Sequence, residues 1–106
     1  MQSTQGVSGY RTIRSESTAE RVIKKSRFIG SCFPVETEEQ AAALLAALKK
    51  RYWDATHNCY AYRIGPLGSA MRSSDDGEPS GTAGAPILNV LVQTDVTNVL
   101  CVVTRY

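Results

Sequence analysis

Asn98-Val99-Leu100-Cys101-Val102-Val103-Thr104 is an almost unbroken apolar run within a chain of 106 residues. A strand with one wet face alternates apolar and polar residues. This one does not, so it reads as a strand buried on both faces and central in its sheet. The chain closes at Tyr106, immediately after it. A central strand normally leads into an element that covers one of its faces. The sequence therefore predicts a domain that is incomplete at its C-terminal end, either a fragment of a longer domain or a fold completed by a partner chain. An unfinished apolar edge there would favour a homo-oligomer.

Reading backwards from that strand, Ile87 to Val92 is an apolar stretch that predicts a short helix starting between Thr82 and Pro86, since proline is accommodated in a first turn. Ser74 to Gly84 is dense in Asp, Gly, Pro and Ser and predicts a loop. His57 to Ile64 and about Ser69 to Ser73 predict two strands, separated by the turn Gly65-Pro66-Leu67-Gly68. Thr37-Glu38-Glu39-Gln40 has the form of a capping box, and Ala41, Leu44, Leu45, Leu48 and Tyr52 recur at helical spacing. Lys49, Lys50 and Arg51 crowd the end where cations suit the helix dipole, so a helix is predicted over 38–52. Tyr10 to Arg14, Thr18 to Lys24 and Arg27 to Val35 predict strand material, the last two as an antiparallel hairpin. Met1 to Gly9 is almost devoid of apolar residues and predicts a disordered tail, leaving 10–106 as the domain. The order ββαββαβ predicts an α+β fold: a mixed sheet with helices packed on one face and the other face open.

Composition sets the class. With 42% hydrophobic and 21% charged residues, this is one small globular domain. Its length suffices to bury roughly 60 to 70% of the unfolded surface without a compulsory staple. No run approaches the roughly 20 apolar residues that cross a bilayer, so no membrane is expected. The net charge of +2 is too small for binding nucleic acid through bulk electrostatics. Its distribution matters more, because residues 1–53 stand at +4 and residues 54–106 at −2. Cys32, Cys59 and Cys101 are odd in number, far apart in sequence and set in apolar segments. They read as reduced, in an intracellular, cytoplasmic protein.

Three segments carry a resemblance: Lys24-Lys25-Ser26-Arg27-Phe28-Ile29, Ala55-Thr56-His57-Asn58-Cys59-Tyr60-Ala61-Tyr62, and Ser74-Asp75-Asp76-Gly77-Glu78-Pro79-Ser80-Gly81-Thr82-Ala83-Gly84-Ala85-Pro86. In this order they resemble the signatures of the YigZ/IMPACT family, over residues 18–106. The resemblance implies a fold similar to the second domain of ribosomal protein S5. It also implies a role in regulating translation through a protein partner or the ribosome. Val103-Thr104-Arg105-Tyr106 looks like the start of a further glycine-rich family segment that is missing here. The resemblance makes Asp75, Asp76, Gly77, Glu78, Pro79, Gly81, Thr82 and Gly84 a candidate binding loop.

The chemistry of that loop admits two readings. Asp75, Asp76 and Glu78 place three carboxylates within four residues, near the positive end of the following helix. Mg²⁺ could bridge them to a phosphate, as in a phosphoester enzyme; no other cofactor is implied. Alternatively Asp75 and Asp76 bond their own backbone in a turn, Gly77 supplies a positive φ, and Glu78 complements the helix dipole. His57 and Cys59, two apart on a strand, would sit about 6.6 Å from each other. That is too far for the hydrogen bond of about 2.6 to 3.2 Å that a nucleophilic couple needs. Cys32 and Cys101 as further ligands lack paired metal-binding spacing, so a packed thiol and a hydrogen-bonded histidine is the plainer reading and no catalytic or metal residue is assigned.

Strand alternation puts Tyr60 and Tyr62 on one face and His57, Cys59, Ala61 and Arg63 on the other. If the tyrosines line the open sheet face, then together with Lys24, Lys25, Arg27, His57 and Arg63 they could stack and neutralise single-stranded RNA. If they pack beneath the helices, that platform vanishes. The leading function is a non-enzymatic regulatory module, with RNA binding and metal-assisted phosphoester chemistry as alternatives.

Overall fold

The computed structural model describes residues 2–3 and 11–106. Gln2–Ser3 (β1) pairs antiparallel with Arg11–Thr12 (β2) in a two-stranded ribbon. The rest of the tail expected over 1–9, and Tyr10, lie outside the described residues. The body of the fold is β3 (Ser17–Ile23), β4 (Ser26–Pro34), α1 (Glu38–Arg51), β5 (His57–Ile64), β6 (Ala70–Ser74), α2 (Gly84–Gln93) and β7 (Val99–Arg105). This is the ββαββαβ order that the sequence predicts, and the class is α+β. The sheet order is β3-β4-β7-β5-β6, so the apolar final strand is central. Val99, Leu100 and Val102 are each no more than 1% exposed. Among the described residues no helix is long and apolar enough to cross a membrane.

Three expectations change. The sheet is antiparallel at every pairing rather than mixed. The α1 connection joins β4 to β5 and the α2 connection joins β6 to β7, each between parallel strands two places apart. The strand in the gap runs the other way, so no parallel neighbours arise. Second, the helices lie on opposite faces. Ala41, Leu45 and Leu48 of α1 pack on Tyr62, Ile64, Leu100 and Val102, whereas Leu91 of α2 packs on Ala61 and Val99. The physical reason is the run that decides the fold. A strand apolar on both sides needs cover on both sides, and a single layer of helices would leave half of it in water. The two connections run in opposite directions across the sheet, on opposite faces and from starting strands that are themselves antiparallel, so they have opposite hands and one departs from the usual right-handed rule. Third, the C-terminal strand offers no edge for oligomerisation, because β4 and β5 pair with it along both sides. The sheet edges are β3 and β6.

Local signals explain the elements. The Thr37 hydroxyl accepts from the Gln40 amide at 3.1 Å, and Gln40 Oε1 accepts from the Glu36 amide at 2.6 Å, one residue before the cap that a standard capping box would engage. Pro86 falls in the first turn of α2 as expected. The β3–β4 hairpin turns in two residues, since Ile23 pairs with Ser26. Lys24 and Lys25 therefore both take positive φ, 49° and 69°. Such a turn favours Asn-Gly; Lys-Lys holds it at a strain of roughly 1 kcal/mol or more per residue. β3 itself is exposed along its whole length.

Candidate functional site

The loop from Asp75 to Ala83 lies on the α2 face of the sheet, against β5 and β7, and its acids are held apart by separate partners. Asp75 reaches forward to the start of α2, where its carboxylate accepts from the amides of Gly81 at 2.8 Å, Ala83 at 3.1 Å and Gly84 at 2.8 Å. Ala83, at the cap position, has no side chain to offer. Asp75 thus supplies the missing cap from nine residues upstream and meets the positive helix end with its own charge. Those three amides hold its carboxyl below the usual carboxylate range. The anion-binding end of α2 is consequently filled by the chain's own carboxylate.

Asp76, at φ 45°, accepts from the Asn58 amide on β5 at 2.7 Å. Glu78 accepts from Arg105 Nη1 through both carboxylate oxygens at 3.0 Å. His57 sits between these acids, its Nδ1 donating to the Asp76 carbonyl at 2.6 Å and its Nε2 lying 3.4 Å from Glu78. The Cys59 thiol donates to the Asp75 carbonyl at 3.1 Å. Burial, then the negative charges of Glu78, Asp76 and Asp75, push that thiol up to about 11, so it is protonated and unreactive at neutral pH. Among the described residues no three His, Cys, Asp or Glu side chains converge as metal ligands.

Two glycines set the fit of this loop. Gly77 has φ 89°, and a Cβ there would come within 3.3 Å of the His57 ring. Gly84 opens α2 where the helix crosses the end of β6; a Cβ would meet the Ser74 backbone at 2.6 to 2.8 Å. The helix can approach β6 only without a side chain at this point. Under the loop remains a small cleft of about 200 Å³, lined by Phe28, Thr82, Ile87 and Val103 with Glu78 and Arg105.

Of the residues expected on an RNA-binding face, the structure assembles only some. Tyr60 and Tyr62 lie on the α1 side, stacked at 6.4 Å, with Tyr62 buried and its hydroxyl donating to Glu38. The aromatic platform therefore does not exist, because α1 needs those rings as its floor. Arg63, on the opposite face, donates to Asp95 at 3.0 Å and to the Val96 carbonyl at 3.3 Å. His57 is held beneath the signature loop. Lys24, Lys25 and Arg27 stay together on the β3–β4 hairpin. There Arg27 pairs with Glu20 at 2.8 Å and lies over the Tyr106 ring at 5.0 Å. The dipole role expected of Glu78 belongs to Asp75, whose carboxylate bonds amides six to nine residues further along its own loop, while the Asp76 carboxylate, expected to bond its own turn, reaches across to β5. Sequence reasoning missed Arg105, whose charge at the end of an apolar strand marks an end rather than a partner. It also missed Asn58, buried and accepting from the Thr104 hydroxyl at 2.7 Å. A polar residue inside an otherwise apolar strand is the signal that could have found it.

Residues 24–106 match the family model of the Impact N-terminal domain. Relatives include the IMPACT family member YvyE of Bacillus subtilis, 46% identical over 97 residues that cover 92% of this chain and 45% of that protein. Protein IMPACT of Oryctolagus cuniculus is 38% identical over 88 residues, covering 78% of this chain and 27% of its own length. A crystal structure of a hypothetical protein superposes with a TM-score of 0.85 at 38% identity, covering 90% of this chain and 47% of the other. The two-domain translational regulator Yih1 superposes at 0.69 with 29% identity, covering all of this chain and 43% of the other. The chain thus spans less than half the length of these relatives. With the three signature segments, the fold and the family model in agreement, the chain belongs to the Impact N-terminal domain family.

Proposed function

We propose that the chain is a non-enzymatic, cytoplasmic binding module of translation control that docks a protein partner along its β3–β4 hairpin. The observation that carries this reading is the contrast between the two exposed features of the family signatures. The three carboxylates of the Asp75–Gly84 loop and the Cys59 thiol are engaged within the fold, which leaves none of them a nucleophile with a free base beside it. The hairpin is the reverse: among the described residues β3 pairs on one side only, all seven of its residues are exposed, and Val22 and Ile23 are 69% and 56% exposed. Its strained tip projects Lys24 and Lys25, with Arg21 and Arg27 close behind. An unpaired strand edge with apolar and cationic side chains suits an extended acidic segment of another protein, added as a further strand. The translational setting is supported by the likeness to the structure described as the two-domain translational regulator Yih1.

The test is a cell-free translation system supplemented with the purified chain. The wild-type protein is expected to change the translation rate, and Lys24→Glu/Lys25→Glu is expected to remove the effect while leaving the thermal melt in place. A photo-crosslinker at Val22 should join it to a protein. No effect at saturating concentration, or an unchanged effect in the charge-reversed variant, would overturn the reading. Crosslinks to RNA, lost on nuclease treatment and falling steeply with salt, would transfer the hairpin to nucleic acid.

A further inference from the structure

We propose that Cys32 and Cys101 form a redox site, a dithiol that closes to a disulfide across β4 and β7. The two residues are directly paired in the register of these antiparallel strands, and their Sγ atoms lie 2.6 Å apart. Directly opposed residues in such a ladder have Cα atoms about 4.5 to 5.5 Å apart, inside the span of about 4.4 to 6.8 Å that a disulfide accepts. The register thus places the two thiols within disulfide reach. Both side chains are half-buried on the α2 face beside Val99, so a small reagent reaches them while the surrounding packing holds their orientation. Their mutual hydrogen bond lowers the Cys32 thiol to about 7 and raises that of Cys101. The shared hydrogen bond favours one thiolate in the pair, which attacks first, Cys32 in the scheme that follows. Cys59 takes no part, because its thiol is tied to the Asp75 carbonyl.

The oxidant is a low-molecular-weight disulfide such as glutathione disulfide. The Cys32 thiolate attacks one sulfur, forming a mixed disulfide and expelling one thiolate. Cys101 then gives up its proton and attacks Cys32 Sγ, expelling the second. The protein loses two protons and two electrons, and the glutathione disulfide becomes two thiols. The closed form ties two central strands of the sheet together and shortens the freedom of the unfolded chain.

The test is intact-mass measurement of the native protein before and after incubation with glutathione disulfide, with proteolytic mapping. The expected result is the loss of two hydrogens and a Cys32–Cys101 linked peptide. Dithiothreitol should reverse both, and the melting temperature of the oxidised form should rise by about 10 °C. Cys59→Ala should behave as wild type, and Cys101→Ser should stop at a glutathione adduct on Cys32. Three free thiols after oxidation, or stable glutathione adducts on wild-type Cys32 or Cys101 in place of the link, would overturn the proposal.

Discussion

Glu78 and Arg105 are joined through one guanidinium nitrogen that donates to both carboxylate oxygens at 3.0 Å. The pair ties the signature loop to the last residue of the central strand. Arg105 in turn lies over the Phe28 ring at 5.8 Å, so loop, β7 and β4 meet at one guanidinium. Glu78 is 14% exposed and Arg105 40%, so solvent screens the pair only partly. A double-mutant cycle with Glu78→Gln and Arg105→Lys is expected to give a coupling of about 1 kcal/mol, read from urea melts. Additive effects would show that the contact is incidental.

Gly84→Ala tests the close approach of α2 to β6. An alanine would improve helix propensity, yet its Cβ would lie 2.6 Å from the Ser74 carbonyl oxygen, an atom fixed at the end of β6. The steric term outweighs the propensity gain of up to about 1 kcal/mol, so the variant should lose roughly 1 to 3 kcal/mol. A thermal melt equal to or above wild type would contradict this.

The Asp75 carboxyl is held low in the folded chain by the amides of Gly81, Gly84 and Ala83. A depressed folded value means that its stabilisation is complete above the unfolded carboxyl value of about 3.9 and is lost as pH falls through the lower, folded value. Asp75→Asn should remove that acid-dependent part and flatten the stability profile below about pH 4, measured by urea melts across pH. An unchanged profile would mean that the cap carries no charge-dependent weight.

Lys24→Asn/Lys25→Gly separates strain from charge at the hairpin tip. Asparagine and glycine tolerate the positive φ that both lysines now adopt, so the variant should gain about 1 kcal/mol or more, seen as a melting point several degrees higher. The same variant should lose the effect on translation, because the cations are gone. A more stable protein with undiminished effect would detach recognition from these side chains.

How much of this was readable beforehand differs by element. β5 matches its predicted bounds, and α1 does so to one residue, because helical spacing and a capping box are local signals. The run Val99 to Val103 gave the centre of the sheet. The same run also argued against helices on a single face, and the two readings were in conflict until the structure put a helix on each side. Tyr60 and Tyr62 could not be placed by alternation, which says that they share a face but not which helix covers it. Long-range polar contacts were the least legible. Nothing in the chain order links Glu78 to Arg105, Asp76 to the Asn58 amide, or Cys32 to Cys101, since each depends on strand register across the sheet. The Lys24-Lys25 tip was hidden for the opposite reason, as it lacks the Asn-Gly signal its turn type favours.

The central claim is that the signature loop is a clasp whose acids are consumed in holding the fold, leaving recognition to the hairpin. Native-state hydrogen exchange of the Gly81, Ala83 and Gly84 amides tests it most directly. If Asp75 binds them as described, these amides exchange as slowly as those of β5 and β7, only through opening of the whole domain. Exchange at the rate of an open loop would show that the acids are not engaged and would contradict the claim.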